Sequence, residues 1–319
     1  MTSSIHDKDK QLFTVSDLLD WKPPHYTRII SSGILNTKNR MIIFGDEGSW
    51  KSILAMHTAH CIARGSRWLG FSTYPSNVLR LQVELPLYID RERLDKYCVG
   101  SKSIFLSKDG HKEEPPEDQD TKATTYAYPT RYVSRTEQYI HIDESFGWES
   151  LLRNIRLCIA EMPEGPLVVV LDPLYKMFNR DISSEVDVKP LLDKIDLIMG
   201  EVKDSIGVSF IIVHHTRKAR TDDAGMPISM GSQDATGSRA WMRWADTILR
   251  IDPEPNDRTM TRVMATFTKH RNAEDVLPTI RIKWNRDTLH PQILQRILPR
   301  YEDEEEIELR GDLNLTQLE

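Results

Sequence analysis

Residues 41–52 read Met41-Ile42-Ile43-Phe44-Gly45-Asp46-Glu47-Gly48-Ser49-Trp50-Lys51-Ser52, and a helix-patterned run, Ile-Leu-Ala-Met-His-Thr-Ala-His, follows directly. An apolar strand, a glycine turn and a Lys-Ser pair opening a helix together build a phosphate-binding loop. Gly45 and Gly48 let the backbone turn sharply so that its N–H groups face a triphosphate. Lys51 reaches the β- and γ-phosphates, and Ser52 offers a hydroxyl to Mg²⁺. The helix starting at Ser52 adds the positive end of its dipole to the same anion site. Residues 45–52 (Gly45, Asp46, Glu47, Gly48, Ser49, Trp50, Lys51 and Ser52) are therefore the expected nucleotide-binding segment, with ATP and Mg²⁺ as its ligands. One position departs from the usual pattern: Trp50 stands where a glycine normally precedes the lysine.

Composition sets the frame for this loop. With 319 residues, 39% hydrophobic and 28% charged, the chain can bury a sizeable core as one large α/β domain or two small ones. No apolar run approaches the ~18 residues of a membrane span, and the amino-terminal residues do not read as a signal peptide. Cys61, Cys98 and Cys158 are scattered, which points to reduced thiols, a cytoplasmic setting and no zinc site. His57 and His60 share a helical face and, with no further ligands near them, are expected at the surface. The net charge of −6 is unevenly spread: residues 302–319 carry eight acids against Arg310, a net −7, which leaves the rest of the chain at +1. The acidity sits in a tail, while the body is near neutral with basic clusters.

The pattern outward from the loop alternates strands and helices. Residues 1–35, broken by Pro23-Pro24, read as an irregular lead-in. Strands are expected at 41–45, 78–83, 102–106, 167–171 and 208–213, then at 246–251, 262–269 and 279–284. Helices are expected at 51–64, 90–97, 148–161 and 186–204, with a short one around 241–244. In the 186–204 helix, Val188, Leu191, Leu192, Ile195, Ile198 and Met199 form one buried face. Residues 107–137, with Pro115-Pro116 and no period, read as a polar insertion. Continuous apolar strands interleaved with helices mean an α/β fold whose mostly parallel sheet is covered on both faces.

In such a sheet, ligands sit beyond the carboxyl ends of the strands. Four strands end in residues suited to ATP chemistry. The first gives the phosphate loop. The second ends at Glu84, a carboxylate to orient or deprotonate an attacking water. The third ends at Asp172, an acid suited to holding Mg²⁺ together with Ser52. The fourth ends in His214-His215, placed to hydrogen-bond a γ-phosphate and report its loss to the following loop. Each has a mundane alternative alone: Asp172-Pro173 can start a turn, and a strand-end glutamate is often merely solvated. The ordered set of four is the stronger signal.

Gly45–Ser52, the Leu81-Gln-Val-Glu84 strand end, Val169-Val-Leu-Asp-Pro-Leu-Tyr-Lys176 and Ile212-Val-His-His-Thr-Arg-Lys218 together resemble RecA-fold ATPases. They look closest to the RepA-like branch of ring-shaped replicative helicases, related more distantly to DnaB. The similarity runs over roughly residues 20–290, omitting 107–137 and the tail. It implies a RecA-like ATPase domain over 36–290 between the lead-in and a C-terminal segment, 291–319, that carries the acidic tail. It extends to Thr268-Lys-His-Arg-Asn272, where Lys269 and Arg271 match a Lys-x-Arg that reaches the γ-phosphate of the neighbouring subunit in ring helicases. A guanidinium fork there neutralises charge spreading over the transferred phosphoryl group. The resemblance also places the loop bearing Arg217, Lys218 and Arg220, with Gly225, Gly231 and Gly237, against single-stranded DNA. Trp241 and Trp244 nearby are expected to pack rather than to stack on bases. The implied whole is a minimal motor: a homo-oligomeric ring, hexameric, that hydrolyses ATP between subunits and moves along single-stranded DNA. A replication partner docking on the C-terminal tail is a further expectation. Two other readings stay open: a recombinase-like or annealing mediator, and a non-motor ATP switch that loads or regulates a partner.

Overall fold

The computed structural model describes residues 14–20, 27–100, 131–136, 140–202, 207–215 and 239–299. The elements in chain order are α1 (Val15–Asp20), β1 (Arg28–Ile30), β2 (Leu35–Asn36), β3 (Arg40–Gly45), α2 (Lys51–Arg64), β4 (Asn77–Gln82), α3 (Leu87–Gly100) and β5 (Tyr132–Thr136). They continue as α4 (Ser145–Glu161), β6 (Leu167–Asp172), a 3₁₀ turn (Leu174–Lys176), α5 (Glu185–Glu201), β7 (Val208–His215), α6 (Arg239–Trp244), β8 (Thr247–Pro253), β9 (Arg262–His270), β10 (Thr279–Trp284) and β11 (Pro291–Ile297).

Nine strands form one sheet in the order β11-β10-β9-β8-β3-β7-β6-β4-β5. The six from β8 to β5 are mutually parallel, and β9, β10 and β11 add to the β8 side as antiparallel strands. The expected mostly parallel α/β sheet is thus present. Alternation along each central strand divides the core in two. Met41, Ile43, Val168, Val170, Ile211 and Val213 pack with α2 on one face. Ile42, Phe44, Val169, Leu171, Phe210 and Ile212 pack with α4 and α5 on the other. The apolar face read for α5 is buried as expected, and Ser184 caps that helix by accepting from the Asp187 N–H.

The structure corrects the sequence reading at four places. The lead-in is not irregular throughout: β1 and β2 pair, and Ile29, Ile30, Ile34 and Leu35 are fully buried. Strands of two and three residues carry no readable period. Within the expected insertion, Tyr132–Thr136 is the edge strand β5, parallel to β4, while 107–130 and the expected strand at 102–106 lie outside the described residues. Beyond residue 290, β11 pairs with β10 and continues the sheet, whereas the tail from 300 onward lies outside the described residues. His57 and His60 are buried rather than surface residues. They meet Tyr97 of α3, and His57 Nδ1 lies 2.5 Å from the Tyr97 hydroxyl.

Candidate nucleotide site

Gly45 ends β3 opposite Ile251 of its parallel neighbour β8: a Cβ there would lie 2.1 Å from the Ile251 carbonyl oxygen, so no other residue fits. Gly48 turns the chain at φ 77, and Ser49 closes the loop, its N–H and hydroxyl both donating to the Asp46 carbonyl (3.2 and 2.7 Å). Trp50 precedes α2 in the left-handed region, φ 67 and ψ 14. That conformation costs a side-chain-bearing residue about 1–2 kcal/mol. It is held by a flat stack on Trp284 (5.5 Å between ring centres, 5° between planes) and by the indole N–H donating to the Met260 carbonyl (2.8 Å). The departure noted in the sequence is therefore accommodated by a tertiary partner, and the loop keeps its turn.

Lys51 is buried and folds over this loop, its ammonium donating to the Asp46 carbonyl and to Ser49 Oγ. Burial lowers its pKa to about 8, against the pull of Asp46 and Asp172. Ser52, one residue into α2, donates to Asp172 Oδ1 (2.7 Å). Asp172 ends β6 fully buried, and its Oδ2 accepts from Arg80 Nη2 (3.0 Å). Arg80 Nη1 in turn donates to Asp90 Oδ1 of α3 (2.8 Å), and Ser134 of β5 donates to Asp90 Oδ2 (3.1 Å). A wholly buried Arg80 thus fixes Asp172 from behind and joins β4, β6, α3 and β5. Sequence reasoning missed it, because Arg80 within the 77–82 run reads as the solvent-facing member of an alternating strand.

Glu84, just past β4, is exposed and accepts a hydrogen bond from the Tyr175 hydroxyl (3.0 Å). The Tyr175 ring meets His215 edge-on at 4.9 Å. Burial and the bond to Glu84 push the Tyr175 phenol up to about 12, so it remains a donor. His215 at the end of β7 is half-buried, and burial with Lys51 nearby lowers its pKa. His214 departs from the paired reading. It points to the other face, buried against Trp241 with burial lowering its pKa to about 3, and neither ring nitrogen has a hydrogen-bond partner among the described residues. A cleft of about 460 Å³ joins Trp50, Lys51, Ser52, Glu84, Arg93 and His215. Arg93 of α3, unassigned from the sequence, makes no hydrogen bond or ion pair with a described residue and is half-buried beside the cleft. Its desolvation lowers its pKa. Tyr175 lay within a quoted motif, but only its contact with Glu84 shows what it does.

Lys269 and Arg271 stand apart from this cleft. His270 pairs with Thr247, level with the start of β3, so both residues lie at the end of the sheet opposite the phosphate loop. The six residues of β3 span roughly 17 Å at about 3.3 Å per residue, which sets the separation. Lys269 Nζ donates to the Met242 and Arg243 carbonyls at the end of α6 (2.7 and 3.0 Å). Arg271 pairs with Asp246 (3.0 Å) and caps Arg243, leaving half of its side chain exposed. Trp241 is buried, and Trp244 packs beside it and donates to Asp196 (2.8 Å), so both are packing residues as expected. Arg217, Lys218 and Arg220, with Gly225, Gly231 and Gly237, lie outside the described residues.

Residues 7–221, more than half of the chain, match the AAA domain. The chain belongs to the AAA-domain family. Membership carries the ATPase assignment and implies a nucleotide with Mg²⁺ as ligands of this AAA domain. The side chains fit the metal: Ser52 Oγ, which lines the cleft, and Asp172 Oδ1, buried directly behind it at 2.7 Å, are hard oxygen donors of the kind Mg²⁺ takes when phosphates and waters complete its shell. Among solved structures, the KaiC-like protein PH0186 from Pyrococcus horikoshii OT3 is similar at TM-score 0.49 and 10% identity. The alignment covers 86% of this chain and all of that one. No curated protein matches the chain. Among the described residues, no helix is long and apolar enough to cross a membrane.

Proposed function

We propose that this ATPase is a ring-forming motor, hexameric, that moves along single-stranded DNA in the manner of a replicative helicase. The observation carrying the reading is the place of Lys269 and Arg271, a strand length from their own phosphate loop. A cationic pair so placed serves nucleotide chemistry only from a neighbouring copy. In each site Lys51 would hold the β- and γ-phosphates, and Ser52 and Asp172 would hold Mg²⁺, which would supply charge neutralisation. Glu84, oriented by Tyr175, positions the attacking water and accepts its proton. His215 lies on the strand that leads into residues 216–238, so loss of a γ-phosphate contact there is relayed to the segment bearing Arg217, Lys218 and Arg220.

Mixing subunits tests this directly. Arg271→Ala abolishes turnover while single subunits keep their ATP affinity, and mixing with Lys51→Ala restores part of the rate at hybrid interfaces. If rings form and every mixture stays dead, the assignment in trans is wrong. ATPase rates with and without single-stranded DNA, read beside the oligomer mass, separate the motor from its rivals. A rate indifferent to DNA points to a non-motor switch, and masses rising without closure point to a recombinase-like filament.

A further inference from the structure

Trp50 bears a left-handed backbone at the joint between the phosphate loop and α2, a conformation that glycine adopts without strain. Two elements converge on this one residue. Trp284, at the end of β10 and only 1% exposed, supplies the stacking face and is itself wedged edge-on against His57 of α2 (6.3 Å). The turn between β8 and β9 supplies the Met260 carbonyl that accepts the Trp50 indole N–H. That turn is organised by Asp257, which accepts from the Thr259, Thr261 and Arg262 N–H groups (3.0, 2.8 and 2.7 Å). Arg286, just beyond β10, ties in the second turn by donating to the Thr259 carbonyl (2.7 Å). The antiparallel strands added to the sheet thus reach back over the anion site and grip its strained residue.

We propose that the Trp50–Trp284 stack is a latch: it holds the phosphate loop in its anion-binding turn, and Trp50 and Trp284 are positioning residues for the nucleotide. The latch presupposes nucleotide binding at Lys51. Coupling between two sites is reciprocal, so a latch that favours nucleotide is itself favoured by nucleotide. Bound ADP then quiets the 254–261 turn, although Met260 is exposed and outside the cleft lining.

The test is a double-mutant cycle on the full chain, with Mg-ADP affinity measured by calorimetry and thermal melts alongside. Trp284→Leu keeps an apolar filling and removes the aromatic face. It weakens ADP roughly ten-fold in the native background, the factor expected when the strain of the left-handed residue is no longer offset. In the Trp50→Gly background, where that strain is absent, the same change shifts ADP affinity by less than about two-fold, a coupling that independent sites do not show. Trp50→Ala, which keeps the strained backbone without the stack, binds ADP more weakly than Trp50→Gly. Hydrogen exchange reads the other direction: ADP slows the amides of 254–262 in the native chain and not in Trp50→Gly. Additive losses in the cycle, or equal affinity of Trp50→Ala and Trp50→Gly, overturn the latch. Lys51→Ala separates the two ideas. If the native chain binds ADP and Lys51→Ala does not, an additive cycle removes the latch alone, whereas a native chain that ignores ADP removes the nucleotide site and the latch with it. Should Trp284→Leu fail to fold, the exchange comparison in Trp50→Gly decides.

Discussion

Lys51 is the residue whose chemistry is most exposed to test, because burial has already brought its pKa down to about 8. A phosphate ligand favours the protonated ammonium, so the bound form takes up a proton wherever free Lys51 has lost one. Nucleotide affinity therefore falls as pH rises above about 8, by up to about ten-fold per pH unit, and is flat below. Calorimetry in buffers of different ionisation enthalpy reads both the affinity and the proton uptake. Glu84→Gln keeps the shape of the side chain but cannot accept a proton, so ATP binding persists while hydrolysis stalls, in contrast to Lys51→Ala, which loses binding. Tyr175→Phe removes only the hydrogen bond that orients Glu84 and lowers kcat by roughly ten-fold with KM little changed. Equal losses of ATP affinity in the Glu84→Gln and Lys51→Ala proteins would remove Glu84 from its role.

At the scale of elements, the buried Arg80 is the joint between the strand carrying Asp172 and the helix carrying Arg93. Its two ion pairs are fully desolvated, both partners being about 1–2% exposed. Breaking one side of such a cluster strands the other charges without water. Arg80→Met is expected to destabilise the fold by about 3–5 kcal/mol, read from the urea midpoint. The loss of Asp172 positioning also raises the Mg²⁺ concentration needed for half-maximal ATPase rate. A fall in stability with no change in Mg²⁺ dependence would make Arg80 a structural residue only. The antiparallel strands β9 to β11 matter at this scale too. They carry Trp284 and Met260 to the phosphate-loop end of the strands, while the end of β9 puts Lys269 and Arg271 at the opposite end.

For the whole molecule, the charge distribution bears on DNA. The 302–319 tail carries a net −7 beside a body at +1. An acidic tail competing with DNA phosphates for Arg217, Lys218 and Arg220 predicts that deleting 302–319 tightens single-stranded DNA binding most at low salt. The gain fades as screening rises. Titration by fluorescence anisotropy across a salt series reads it, and an affinity unchanged at every ionic strength leaves the tail with no such role.

What the sequence alone determined is the central parallel sheet and the residues at its strand ends. Runs such as Leu167–Asp172 are apolar because both faces are buried, and each stops at a polar residue where the strand leaves the core. Glycines at 45 and 48 followed by Lys51 and Ser52 mark the phosphate loop because few other residues tolerate those backbone angles beside an anion. Tertiary structure decided the rest. Arg80 reads as solvent-facing until β6 and α3 close over it, and His214 and His215 are neighbours in the chain but point to opposite faces of β7. The short strands β1 and β2 have too few residues to show a period, and β5 and β11 lie at the two edges of the sheet, where little burial constrains their sequences. Trp50 is the clearest case. By local rules a tryptophan is strained at a left-handed position, and the groups that hold Trp50 there, the Trp284 ring and the Met260 carbonyl, lie more than 200 positions later in the chain. Contacts between residues so far apart are set by the packing of the sheet, which no local pattern in the chain records.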